Sequence, residues 1–309
     1  MTATFLTAGE ALTDIVVRSD GDRQEHPGGS PLNVAVALAR LGHASHLLTR
    51  IGRDARGDAI RGHVEGSSAR LTPGSITDAP TSTALARIGA DGAAQYEFEL
   101  TWDPDPSGLP AQVDAVHTSS IAAVLEPGAS TVARVLDQYA DAAMISYDPN
   151  ARPALMGEAA RARSIIEGIV RRADVVKTSD EDVEWLYGTS DVEDVVSSWL
   201  APAGADRGPA LAVVTRGGEG AIGFTRAAGR IQVAPVRVTV ADTVGAGDTF
   251  SAGILHALAG AGLIGADRRE ALRAADERTL RSILAQAAKL AAITVSRPGA
   301  DPPWAHELS

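Results

Sequence analysis

Residues 242–250 read DTVGAGDTF, a glycine-rich elbow with a carboxylate at its bend. Gly245 and Gly247 flank Ala246, so the backbone here is almost bare of side chains and can approach a ligand closely. The continuation DTFSAGILHALAG reads as a helix, with Phe250, Ile254, Leu255 and Leu258 on one face and glycines after Ala259 to end it. The start of such a helix presents unpaired N–H groups and the positive end of its dipole, which suits a phosphate. Asp248 would then place a base beside a bound anion, although an acidic residue in a first turn can equally be a helix cap. A second glycine turn, PGGSPLNVAVALARLG at 27–42, feeds another helix with Asn33 in its first turns. That helix start is either simple capping or a set of backbone donors and an amide for a polyhydroxyl ligand.

Other motifs fall away on context. GGEGAIG (217–223) contains a G-x-G-x-x-G, but AIGFTR continues as a strand, so no helix N-terminus faces a pyrophosphate. GAGLIG (260–265) follows a helix and reads as its terminus, and no G-x-x-x-x-G-K-[ST] sequence exists. The seven histidines show no metal-binding helical spacing, and His43 and His46 read as helix-end and loop residues.

The elements that must position these motifs alternate between short apolar runs and amphipathic stretches. Strands are expected at 4–9, 45–52, 115–120, 144–150, 174–179 and 211–218. Helices are expected at Leu32 to Leu41, Ala129 to Ala140, Ala159 to Ala173, Asp180 to Tyr187 and Val192 to Leu200. The alternation predicts an α/β fold, a doubly wound and mostly parallel sheet with helices on both faces and ligands at the carboxyl ends of the strands. Residues 11–25 and 82–101 break the pattern as hairpins, the second turning at ADG, and are expected to form a small β-lid on one domain spanning 1–309. An ordinary edge extension of the main sheet is the alternative. The end after Pro298 reads as a surface strap.

The 309 residues are 45% hydrophobic, enough for a full core, and carry a net charge of −11, which argues against a nucleic-acid or anionic-membrane surface. The absence of cysteine excludes disulfides, zinc-thiolate sites and cysteine nucleophiles. No stretch reads as a signal peptide or membrane span, so a soluble cytoplasmic protein is expected.

The two glycine motifs, in this order, resemble those of the ribokinase-like (PfkB) carbohydrate kinases, and the resemblance spans the whole chain. GEALTDIV (9–16), SIAAVLEPGAS (120–130), SYDPNARP (146–153), ADVVKTSDEDVEWLYG (173–188), VVTRGGEGA (213–221) and SRPGADPP (296–303) are similar to the fructokinase branch. The resemblance implies ATP-dependent phosphorylation of a sugar hydroxymethyl group, with fructose as the acceptor. It leaves 2-keto-3-deoxygluconate, ribose, a nucleoside, or a catalytically silent sugar-binding regulator as alternatives. Asp248 would be the base, and the N–H groups of Gly245, Ala246 and Gly247 the anion hole. Asp14, Gly28, Gly29, Asn33 and Glu126 would bind sugar, with Arg152 a candidate for a substrate carboxylate or a surface ion pair.

ATP would lie near Ser179, Thr215, Gly217 and Gly247, with the segment from Ala287 through Ala291 to Gly299 walling the adenine. Magnesium is implied through phosphate and water. Family members often order that water with N-x-x-E, where this chain has Ser179 and Asp182. A monovalent cation such as potassium would take Asp242, the Val244 carbonyl and the loop near Gly299. The strand edges of the lid suggest a homodimer joined through it.

Overall fold

The computed structural model describes residues 2–89, 94–200, 202 and 207–308. In chain order the first part runs β1 (Thr4–Ala8), β2 (Leu12–Val17), β3 (Arg23–Gly28), α1 (Ser30–Arg40), β4 (Ala44–Leu48), β5 (Ile51–Gly52) and α2 (Ala55–Gly66). Next come β6 (Arg70–Leu71), β7 (Ile76–Thr77), β8 (Thr83–Ile88), β9 (Ala94–Glu99), β10 (Ala115–Ser119), α3 (Gly128–Tyr139) and β11 (Met144–Asp148). Then follow α4 (Pro153–Met156), α5 (Ala159–Val170), β12 (Val175–Ser179), α6 (Asp180–Tyr187), α7 (Val192–Ser198) and β13 (Leu211–Thr215). The last elements are β14 (Ala221–Thr225), β15 (Gly229–Val233), α8 (Ala246–Gly260), α9 (Arg269–Arg273) and α10 (Glu277–Val295).

A nine-stranded sheet, ordered β15-β14-β13-β12-β11-β10-β1-β4-β6, forms the centre. It is parallel from β13 to β6, and β14 and β15 extend it antiparallel. Successive strand residues point to opposite faces, and both faces are apolar, as a sheet covered on two sides requires. Phe5, Ala115, Met144 and Val175 pack under α1, α8 and α10. Their neighbours Leu6, Val116, Ile145 and Val176 pack with α3 and α5 on the other face. Each fully buried Leu, Ile or Phe contributes roughly 1.5–3 kcal/mol of transfer free energy. Among the described residues no helix is long and apolar enough to cross a membrane.

β1 is the strand at which the winding reverses: the chain first builds outward through β4 and β6, then returns to β10 on the other side of β1. A crevice opens beyond the carboxyl ends of two such strands. Here those ends deliver Gly9 and Glu10 on one side and Ser119 and Ser120 on the other.

The two expected hairpins meet in a separate four-stranded sheet, ordered β3-β2-β8-β9. The ADG turn, at 90–92, lies outside the described residues. The expected strand 45–52 is divided into β4 and β5, because at Thr49 the backbone N–H leaves the sheet for Ser75 Oγ at 3.1 Å. Four helices, α2, α4, α9 and α10, are not among those expected. In α2 only Gly57, Ile60 and Val64 are buried, so its apolar stripe is too thin to announce itself.

Candidate active site

α8 begins at Ala246, two residues before the expected DTFSAGILHALAG stretch, so the elbow itself forms its first turn. Its N-cap, Gly245, takes φ 76°, the left-handed region that favours glycine. A side chain there would also press within 2.6 Å of Ala300 Cβ. The first N–H groups of a helix have no intrahelical acceptor, and Gly247 sits among them with no side chain above it. A Cβ on Gly247 would lie 2.9 Å from Lys177 Nζ, so the ammonium group of β12 sits against the elbow.

Asp248 is buried at the start of α8. Three donors converge on its carboxylate: Ser30 Oγ at 2.6 Å and Asn150 Nδ2 at 3.4 Å on Oδ1, and Asn33 Nδ2 at 2.7 Å on Oδ2. Ser30 and Asn33 ride on α1, so the two glycine motifs, more than two hundred residues apart, close on one carboxylate. Among the described residues three non-glycine positions have positive φ, and two of them border this site: Ser120 (59°) and Asn150 (35°). Strain at such positions persists when the surroundings over-determine it, commonly at functional sites.

Asp14 and Gly28 are diagonal neighbours on β2 and β3, whose register pairs Asp14 with His26 and Gly28 with Leu12. A Cβ on Gly28 would lie 1.9 Å from Asp14 Oδ2. Burial pushes the Asp14 carboxyl up to about 6, against the pull of Arg152 and His26. Gly29 has φ 115° and presses on the Glu10 carbonyl, where a Cβ would lie 2.4 Å away. Glu10 itself is buried, its Oε2 has no hydrogen-bond partner, and burial pushes it up to about 8, opposed by its own N–H, Ser120 and Arg152. Arg152 donates through Nη1 to the Asn150 and Ala151 carbonyls and to Asn150 Oδ1. Glu126 is exposed and accepts from Ser130 N and Oγ at the start of α3.

Beneath the elbow, Lys177 Nζ pairs with Asp148 Oδ2 at 2.9 Å, and Ser251 Oγ donates to the same oxygen at 3.1 Å. Burial alone would lower the Lys177 pKa, but Asp148, Asp182 and Asp248 together hold it above the ordinary lysine value. Burial pushes Asp148 up to about 6 despite Lys177, and its Oδ1 is buried without a partner. Ser179 and Asp182 form a capping box on α6, and Asp182 Oδ1 also accepts the Ala151 N–H at 2.8 Å. Both Asp182 oxygens are therefore engaged by N–H groups of the chain.

Thr215 ends β13, its Oγ1 donating to the Thr178 carbonyl, and Gly217 opens the turn that follows. Asp242 joins the elbow to the strap: Oδ1 accepts the Val244 N–H at 3.0 Å and Oδ2 the Gly299 N–H at 2.9 Å. These bonds, Val244 first, hold its carboxyl below the usual range. Ala287 differs from expectation. It is fully buried against Gly253, whose Cβ would lie 2.7 Å from Ala287 Cα, so that turn of α10 faces α8. Ala291, one turn on, is only partly buried.

Glu10, Ser30, Ser119, Asn150, Asp148 and Lys177 are absent from the expected site. All but Ser119 lie inside segments that carry the resemblance, GEALTDIV, PGGSPLN, SYDPNARP and ADVVKTSDEDVEWLYG, without a role of their own there.

The geometry brings a glycine-opened helix start, a buried lysine and a hydrogen-bonded carboxylate to the switch point of an α/β sheet. Comparison with known proteins shows the family. Residues 5–307 match the pfkB family carbohydrate kinase model. The fructokinase of Rhizobium leguminosarum bv. trifolii is 33% identical over 289 residues, 90% of this chain and 86% of that protein. The crystal structure of the Xylella fastidiosa fructokinase with bound ATP superposes with a TM-score of 0.77 at 27% identity, covering 97% of this chain and 94% of the other. A double mutant of the Vibrio cholerae O395 fructokinase, in its fructose-, ADP- and potassium-bound form, gives a TM-score of 0.74 at 25% identity, covering 97% and 94%.

Proposed function

The chain belongs to the pfkB family of carbohydrate kinases, and from that premise we propose that it transfers the γ-phosphoryl group of ATP to a hydroxymethyl group of fructose. The observation that carries the reading is the carboxylate of Asp248 held beside the start of α8 by donors from α1. Phosphoryl transfer asks the protein mainly for in-line positioning and for charge stabilisation. The acceptor hydroxyl would approach Asp248, which takes its proton as the oxygen attacks. The N–H groups at Gly245 to Gly247 and the Lys177 ammonium would stabilise charge on the transferred group. Asp14 and Asn33 would orient the remaining hydroxyls.

The preference for a neutral sugar rests on charge. Asp14 and Asp248 border the acceptor side, with Glu10 beside them keeping its proton up to about pH 8, while Arg152 already donates to Asn150 and Ala151. A sugar acid would add a further negative charge, whereas fructose adds none. The names of the similar proteins support the same acceptor.

The residues fit magnesium held through phosphate oxygens and water. No group of three or more His, Cys, Asp or Glu forms a cage among the described residues, and the unpartnered Asp148 Oδ1 can order a water. When bound, the ion would offset the polyphosphate charge in a site already rich in carboxylates. Asp242 and the Val244 carbonyl, tied to Gly299, fit a monovalent cation such as potassium, which would brace the elbow.

The test is ADP release by the purified protein with fructose, ribose, 2-keto-3-deoxygluconate and adenosine. Fructose should give the highest kcat/KM. Asp248→Asn should lower kcat roughly a thousand-fold while leaving calorimetric binding of sugar and ATP intact. A better acceptor in the panel would refute fructose, near-normal turnover of the variant would refute the assigned base, and binding without turnover of any sugar would favour the silent regulator.

A further inference from the structure

Ser30 begins α1 with its hydroxyl turned away from the helix end. The N-cap is Gly29, and the bonds of Ser30 Oγ are instead to Asp248 Oδ1 at 2.6 Å and Ser119 Oγ at 2.8 Å. All three side chains are buried, with relative exposures of 6% for Ser30, 0% for Ser119 and 6% for Asp248. We propose that Ser30, backed by Ser119, is the positioning residue that fixes the orientation of Asp248 for proton abstraction, an inference that rests on the kinase reading above.

The direction of the chain follows from counting hydrogens. A serine hydroxyl has one, and a carboxylate can only accept. The Ser30 hydrogen is therefore committed to Asp248, and the bond between the two serines runs with Ser119 as donor. A hydroxyl that accepts one bond is polarised to donate a stronger one, and a bond to a carboxylate is already stronger than a neutral one.

The packing gives this bond a task. Asp248 lies on α8, while its acceptor substrate would be held by α1 and by the lid sheet at Asp14. Ser30 on Oδ1 and Asn33 on Oδ2 grip both oxygens from α1. Asn33 is also placed to serve the sugar, so its amide is shared when sugar binds. Ser30 Oγ has both of its bonds inside the protein, to Asp248 and Ser119, and has no such second task. It keeps the carboxylate plane fixed while Asn33 changes partners. Ser119 ends β10 at the switch point, anchoring the chain in the rigid sheet.

The experiment compares Ser30→Ala, Ser30→Thr, Ser119→Ala and the double variant Ser30→Ala/Ser119→Ala, with wild type and Asp248→Asn as controls for the kinase reading itself. Ser30→Ala should lower kcat about ten-fold, the scale of one charge-assisted hydrogen bond, with KM for sugar and ATP moved by less than about two-fold. Ser30→Thr should restore most of the loss. Ser119→Ala should cost less, and the double variant should be no slower than Ser30→Ala, because Ser119 acts only through Ser30. Wild-type kcat in Ser30→Ala, or losses that multiply in the double variant, would overturn the proposal. Crystal structures of wild type and Ser30→Ala give a reading independent of turnover: the Asp248 carboxylate should rotate in the variant, and an unmoved carboxylate would count against it. If Ser30→Ala does not fold, Ser119→Ala carries the same kinetic and crystallographic test.

Discussion

At the scale of residues, the pocket proposed for the acceptor distributes protons unevenly among neighbouring carboxyls. Glu10 is pushed from 4.5 to about 8 by burial, with Asp248 adding to the rise and Arg152 opposing it. Between those two values the folded chain keeps a proton that the unfolded chain has lost. Stability must therefore fall as pH rises through this window, the contribution of Glu10 being complete below 4.5 and gone above about 8. Asp14 adds the same sign between 3.8 and about 6. Glu10→Gln keeps the shape and removes the titration, so its melting temperature should gain on wild type by about 5 °C between acid and mildly alkaline solution. A difference that does not change with pH would show that Glu10 carries no such shift. Glu10 and Ser30 lie inside the GEALTDIV and PGGSPLN segments and Ser119 just before SIAAVL, but nothing in those segments assigns them a role, and only the sheet order brings them to Asp248. Asn33 and Asp248 were legible because glycine turns precede them, where backbone and ligand can meet, whereas Asp14 came only from the resemblance carried by GEALTDIV.

At the scale of elements, two adjacent glycines should fail in different ways. At Gly28 the obstacle to a Cβ is the end of a side chain, Asp14 Oδ2 at 1.9 Å. Alanine there can be accommodated by turning Asp14 away, so Gly28→Ala should fold nearly normally and raise the sugar KM ten-fold or more, on the order of one lost charge-assisted bond. At Gly29 the obstacle is backbone, the Glu10 carbonyl at 2.4 Å, and φ is 115°. Gly29→Ala should therefore lose stability first. Thermal melts alongside sugar titrations separate the two, and a normal sugar KM in Gly28→Ala would remove Asp14 from the acceptor site. The same reasoning explains which elements were readable. α1, α3, α5, α6 and α8 declare themselves through apolar periodicity and a clear start, and α6 keeps the expected bounds of Asp180 to Tyr187. α2 is polar on most of its surface. Ala287 was expected in the nucleotide wall, but helix periodicity turns it onto Gly253 of α8, and a short stretch considered without its whole helix does not show which side it presents.

At the scale of the molecule, the second sheet grows directly out of the proposed acceptor site. β2 leaves it after Glu10, and β3 returns to it at Gly28. The other hairpin, β8 and β9, is clasped at its base: Arg50, itself buried, donates to the Pro80 and Thr101 carbonyls, and Ser82 Oγ exchanges bonds with Thr101. Asp54 adds bonds to Thr81 N and Oγ1, both at 2.8 Å. Beyond that clasp the sheet is lightly packed, with Tyr96 63% exposed on its outer strand. A fixed base and a thinly covered outer part allow the sheet to pivot over the sugar without disturbing the main core. Exclusion of water from the transferring phosphoryl group supplies the reason to do so. Closure predicts that saturating fructose slows hydrogen exchange along β3 and β9, the two outer strands, and not only at Asp14 and α1. The clasp residues themselves, Ser82 and Thr101, should change least, since they are already held in the free protein. Protection confined to Asp14 and α1, with β3 and β9 exchanging as before, would mean that the sheet is a static extension beside the site and that water must be excluded by the sugar and the α8 elbow alone.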